Sequence, residues 1–173
     1  LAWISGPGPR LGVDLLPGLS RTAAVLPQWD TPMKRFVYQT TVRFTHTDPA
    51  SYVFFPRYFE MLQATVEDWF THALGIRYAD IVLKRGLGLP TAHTECDFLR
   101  PCRLGERLEI AVVLEKVGRT SMHLRFDGRV GGEQRLRARS VLVVIELGDG
   151  RPVAIEGDLR EKLTAYAALS DDG

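Results

Sequence analysis

Hydrophobic positions recur along this chain with two different periods. From Phe36 to Phe44, β-branched and aromatic residues read as a strand. Beyond Pro56, the residues Phe59, Leu62, Val66, Trp69-Phe70 and Ala73 recur at steps of three and four, the buried stripe of an amphipathic helix. Pro56 suits a first helical position, where its missing N–H costs nothing. Gly75 suits a helix C-terminus. About eighteen residues at 1.5 Å rise make this helix roughly 27 Å long, enough to cross a small sheet.

A short helix is expected over 78–84, ended by Gly86-x-Gly88-x-Pro90. Four strand-like segments follow, at about 90–100, 106–117, 120–131 and 134–147. Leu108, Ile110, Val112 and Leu114 alternate with polar or smaller residues, as do Met122, Leu124 and Phe126, so one face is buried and the other wet. Val117-Gly118-Arg119 and Gly131-Gly132-Glu133 are hairpin breaks. The fuller run 141–145 reads as a central strand, and 159–169 as a final short helix.

One strand, one long helix and four consecutive antiparallel strands make an α+β layout. A lone helix cannot cover both faces of a five-stranded sheet, so at least a dimer is expected. Residues 1–32 are rich in Gly and Pro, show no sustained period and precede Met33. They read as a flexible extension, or an over-reading of the start, ahead of a single domain over 33–173.

Composition narrows the function classes. Of 173 residues, 45% are hydrophobic and 25% charged, and 22 basic against 21 acidic side chains leave a formal charge of +1. That balance points to neither a nucleic-acid nor a membrane partner. Apolar runs fall short of the ~20 residues that span a bilayer, and the N-terminus lacks a secretory pattern, so a cytoplasmic protein is expected. Cys96 and Cys102 are expected to be free thiols. His93-x-x-Cys96 lacks a second ligand pair, so no metal is expected there. A G-x-S-x-G nucleophile elbow and a P-loop are both missing from the sequence.

The candidate chemistry lies in VRFTHTDPASYVFFPRYFEMLQATVEDWF, residues 42–70. Asp48 stands in a loop ahead of a helix N-terminus, where backbone N–H groups are unsatisfied and the dipole is positive. A carboxylate with such donors suits chemistry on a polarised carbonyl. An aspartate before proline also serves as a helix cap or turn residue.

Arg43-Phe44-x-His46-x-Asp48-Pro49-Ala50 and Val53-Phe54-Phe55-Pro56-Arg57-Tyr58-Phe59 resemble the 4-hydroxybenzoyl-CoA thioesterase family of the hot-dog fold. Weaker matches follow in order: Gly88-Leu89-Pro90-Thr91, Asp97-Phe98, Pro101, Leu104-Gly105-Glu106 and Gly118-Arg119-Thr120-Ser121. The resemblance covers about residues 36–165. It implies one long central helix wrapped by a curved antiparallel five-stranded sheet, and hydrolysis of an acyl-CoA substrate without metal or cofactor. It also implies a homodimer or homotetramer with active sites between subunits.

By that resemblance Asp48 is nucleophile or general base, and the Phe55 backbone N–H polarises the thioester carbonyl. His46, Tyr52, Phe54, Tyr58 and Gln63 are the expected substrate-binding residues, with Lys116 and Arg119 on the CoA phosphates. Two departures stand out. Ser51 follows Asp-Pro-Ala where the family commonly has Gly, so its Cβ is expected to narrow the acyl cleft or require another loop geometry. His46 stands where relatives often carry an acid or asparagine.

Each candidate has a plainer reading. Tyr58 is a packing residue with a bonded hydroxyl, and Lys116 and Arg119 are edge-strand charges that discourage aggregation. Glu60, Glu67 and Asp68 are alternative helix carboxylates or a solvated face, while His72 and His123 carry no signal. The rival functions are a non-catalytic acyl-CoA-binding hot-dog domain and a hot-dog dehydratase or hydratase.

Overall fold

The computed structural model describes residues 36–171. The expected extension over 1–32 lies outside the described residues. Strand β1 (Phe36–Thr41) is shorter than its sequence suggests, because a 3-10 turn takes over at Phe44–His46. Helix α1 (Phe55–Asp68) then runs into a π-helical turn, Trp69–Ala73, ended by Gly75 at φ 64° with the Ile76 N–H donating to Phe70 O at 2.9 Å. Pro56 sits in the first turn as expected, one position later than the pattern suggests.

The chain continues through α2 (Tyr78–Leu83), β2 (Leu87–Gly88), β3 (Thr91–Phe98), β4 (Arg107–Val117), β5 (Ser121–Val130), β6 (Glu133–Val143), β7 (Ile145–Glu146) and α3 (Gly157–Asp171). The main sheet has the order β1-β4-β5-β6-β3 and is antiparallel throughout. The segment expected as one strand over 134–147 divides at Val144. Its tail, β7, pairs with β2 in a small second sheet that the sequence pattern did not reveal.

The apolar alternation fixes which sheet face meets the helix. Leu108, Ile110 and Val112 of β4, Met122, Leu124 and Phe126 of β5, and Leu136 and Leu142 of β6 are all buried. Against them α1 presents Tyr58, Met61, Leu62, Thr65 and Val66, continued by Trp69 and Phe70. Leu62, Val66, Trp69 and Phe70 are buried as expected, and the stripe is widened by Tyr58, Met61 and Thr65. Phe59 is only half-buried, and Ala73 is exposed. One long helix wrapped by a five-stranded antiparallel sheet is the hot-dog arrangement.

The other sheet face is polar. Glu115 lies 3.2 Å from Arg125 and 3.5 Å from Arg139, Arg139 reaches Glu95 at 3.7 Å, and Arg137 meets Asp97 at 2.7 Å. Such a face is solvated without a cover, which weakens uncovered sheet area as an argument for a dimer. The less protected feature is the β3 edge, exposed at every residue but Cys96. α3 packs Leu159, Leu163 and Tyr166 into the core, and the Tyr166 hydroxyl accepts the Phe36 N–H at 3.0 Å.

Candidate active site

Between the 3-10 turn and α1 the chain makes a closed loop. Thr47 and Val53 pair across its base, and the Phe54 N–H donates to His46 O at 3.0 Å, which seats the start of α1 beside the loop. At its tip the backbone folds around one side chain. Asp48 Oδ1 accepts the Ala50 N–H at 2.9 Å and the Tyr52 N–H at 3.3 Å, while the Ser51 N–H donates to Asp48 O at 2.9 Å. Asp48 is thus a turn-forming aspartate and does not cap α1, whose N-cap is Phe54 without any side-chain cap bond. Its second oxygen, Oδ2, has no hydrogen-bond partner among the described residues. The carboxylate is thus held by one oxygen and open at the other.

Ser51 has φ 64°, the left-handed region that non-glycine residues enter at a cost. The loop places its serine in a left-handed conformation, strained for a residue with a Cβ.

The head of α1 supplies the donors. The Phe55 N–H opens the helix and has no acceptor among the described residues, and Pro56 offers none of its own. The Phe54 and Phe55 rings are 50% and 58% exposed and meet edge to face, 5.4 Å between centroids. His46 Nδ1 accepts the Arg43 N–H at 3.0 Å, leaving Nε2 to carry the proton of the neutral ring. Burial, then the Arg43 and Arg57 charges, hold its pKa below the ordinary 6.5, with Glu60 opposing. Tyr52 is half-buried. Arg103 stacks over its ring at 5.3 Å and donates to its hydroxyl at 3.3 Å.

Tyr58 stands in the core, 4% exposed, and its hydroxyl accepts the Cys102 N–H at 3.1 Å. Burial, then the Cys102 side chain, push its phenol above the ordinary value of 10, with the Cys102 N–H opposing. Gln63 lines a cavity of about 360 Å³ between α1 and the sheet, with Phe59, Leu62, Val66, Thr91, Thr94, Phe126, Ser140 and Leu142. Asp48 and Phe55 are not on its wall. Glu60 is paired with Arg57 at 2.6 Å, and Glu67 accepts from Gln63 at 3.1 Å.

Lys116 and Arg119 are exposed at the β4–β5 hairpin, without an ion-pair partner among the described residues. The hairpin backbone is held by α3 and the segment leading into it, as Arg160 of α3 donates to Gly118 O and the Ile155 N–H to Arg119 O at 2.7 Å. The Asp48 loop abuts the opposite end of β4. Those 11 residues amount to roughly 35 Å of strand, so one chain does not bring Asp48 and the Lys116–Arg119 pair together.

His93 and Cys96, three apart on a strand, point to opposite faces. Both cysteines are free, and burial pushes the Cys96 thiol up to about 11. The sequence reading missed the segment 99–106 as the partner of the Asp48 loop. Its signals were Pro101 and Gly105, and Gly105 adopts φ 86° while its N–H donates to Val42 O at 2.9 Å.

A curved antiparallel sheet wrapped on one long helix defines a protein of the hot-dog fold. The chain belongs to the thioesterase-like superfamily, whose family model matches residues 42–163. It is 28% identical over 127 residues to a 1,4-dihydroxy-2-naphthoyl-CoA hydrolase of Nostoc punctiforme, covering 73% of this chain and 78% of that relative. A DHNA-CoA thioesterase structure from Staphylococcus aureus superposes with a TM-score of 0.75 at 19% identity, over 80% of this chain and 95% of that one. The gentisyl-coenzyme A thioesterase BH1999 does so with 0.68 at 20%, over 74% and 99%. These two structures share the fold.

Proposed function

We propose that this protein is an acyl-CoA thioesterase in which Asp48 drives the hydrolysis of an aryl- or short- to medium-chain acyl-CoA to the free acid and CoA. Its superfamily and its relatives make it a thioester hydrolase. The observation that carries the role of Asp48 is its loop: two backbone N–H groups fix Oδ1 and leave Oδ2 open, in a loop whose base is bonded to the start of α1. In this reading the Phe55 N–H donates to the thioester oxygen as negative charge develops there. One such donor is typically worth about 3 kcal/mol of barrier.

Two routes share this geometry. In the first, Oδ2 attacks the carbonyl carbon and expels CoA as the thiolate, and water then hydrolyses the acyl-aspartyl anhydride. In the second, Asp48 takes a proton from a water that attacks directly. After a single turnover in labelled water, label in the enzyme carboxylate identifies the first route, with water attacking the aspartyl carbon of the anhydride.

The site is completed by a second copy of the chain. Separation of Asp48 from Lys116 and Arg119 along β4 supports this, as does the unprotected β3 edge bordering the Gln63 cavity. The Asp-Pro-Ala block, the exposed Phe54 and Phe55 and the apolar cavity support an acyl group of the kind handled by the 4-hydroxybenzoyl-CoA branch.

Free-thiol release from a panel of aryl- and alkyl-CoA esters tests the proposal. Turnover of at least one ester class is expected, and the panel names the acyl group. A wild type inert on every ester that still binds CoA would replace the reading with a non-catalytic acyl-CoA-binding domain.

A further inference from the structure

The Asp48 loop does not hold itself in place. Its outer strand is sewn to the segment 99–106: Val53 N–H donates to Cys102 O at 2.9 Å, Leu104 N–H to Ser51 O at 3.2 Å, and Tyr52 bridges to Arg103. That segment has no regular structure of its own. It is gripped from the sheet by Arg135 of β6, beside Glu133 of the same strand, which lies 2.5 Å from Arg100 and 3.3 Å from Arg135. The Arg135 guanidinium donates to Pro101 O at 2.9 Å and to Glu106 Oε1 at 3.2 Å, while its backbone oxygen accepts the Leu99 and Arg100 N–H groups at 2.8 and 3.1 Å. Glu106 relays the grip: its Oε2 accepts the Arg103 N–H at 2.7 Å, and its backbone oxygen accepts the Val42 N–H at 2.8 Å. The Arg135 side chain is only 15% exposed, with Glu106 at 25%, so this pair is shielded more than a surface ion pair.

From these contacts we infer that Arg135 is the positioning residue of the active loop, fixing Asp48 through the segment 99–106 without touching substrate. The inference rests on the proposed role of Asp48. A planar fork is required because a carbonyl and a carboxylate must be held at once in fixed directions. An ammonium reaches one of them and leaves the other free. The loop is already strained at Ser51, so any slack in its support shifts the carboxylate.

The test uses the full chain with Arg135→Lys and Arg135→Met, each alone and combined with Asp48→Asn. Hydrogen exchange is read first, because it needs no substrate. The inference requires exchange over 47–53 and 99–106 to rise about tenfold in both variants, while β5 stays protected. Unchanged exchange over 47–53 overturns it, and if the Met variant does not fold, the Lys variant decides.

Kinetics follow. Arg135→Lys should lower kcat by about tenfold or more with KM within about twofold, since small misplacements of a reacting group cost that much. In the Asp48→Asn background the same substitution should lower the residual rate no further. Equal losses in both backgrounds would mark Arg135 as a general packing residue and overturn the positioning role. An inert wild type would instead defeat the thioesterase reading and the catalytic half of this inference, with exchange still deciding whether Arg135 holds the loop.

Discussion

Single residues set the geometry of the Asp48 loop, and two of them make sharp predictions. Ser51 occupies the left-handed region without the freedom of glycine. Ser51→Gly should raise unfolding stability by about 1 kcal/mol, read from denaturant midpoints. Unchanged or lower stability would mean that the serine is not strained. Tyr58 joins α1 to the loop's support through the Cys102 N–H. Tyr58→Phe leaves that donor unpaired in the core and should cost about 1–3 kcal/mol.

His46 adds a pH signature. Its native pKa is lowered below 6.5, so the fold favours the neutral ring. Its contribution to stability is therefore full above the unfolded value and is lost as pH falls through the native one. An NMR titration should place the His46 midpoint below 6.5, and a midpoint at or above that value contradicts the assignment of Nδ1 as acceptor. Asp48 itself was legible from the Asp-Pro-Ala block. Its turn role was legible only as an alternative to capping, because Phe54 and the His46 carbonyl decide where the helix begins.

At the scale of elements, periodicity recovered α1 and the alternation of β4 and β5, because burial on one face imposes those periods on the sequence. It failed where long-range contacts decide. The π-helical turn at Trp69–Ala73 leaves Ala73 exposed at the end of the stripe, and β2 exists only because β7 returns to pair with it. Arg135 and Glu106 were unreadable as a pair, since 29 residues separate them and neither sits in a periodic pattern. Sheet packing leaves equally little room. A Cβ at Gly128 would lie 2.7 Å from Leu136 Cγ, so β5 and β6 approach here as only glycine allows. Gly128→Ala should lower stability by about 1–3 kcal/mol, and a neutral result would show that Leu136 can move aside.

For the whole molecule, the proposal requires two copies. The Asp48 loop and the Lys116–Arg119 hairpin lie at opposite ends of β4, and the long β3 edge is of the kind proteins normally cover or pair. Sedimentation equilibrium should therefore find a dimer or a higher even assembly. A monomer that hydrolyses acyl-CoA at full rate would refute the shared site.

The central claim is that the open oxygen of Asp48 performs the chemistry. Asparagine keeps an Oδ1 able to accept the Ala50 and Tyr52 N–H bonds, so the loop should still fold while the carboxylate is lost. The decisive measurement is steady-state thiol release by wild type and Asp48→Asn on the best ester of the panel. A loss of about a hundredfold or more in kcat, with KM changed only a few-fold, is the predicted result. Equal rates would leave Asp48 as a turn residue and move the chemistry to another carboxylate, Glu60, Glu67 or Asp68 on the helix.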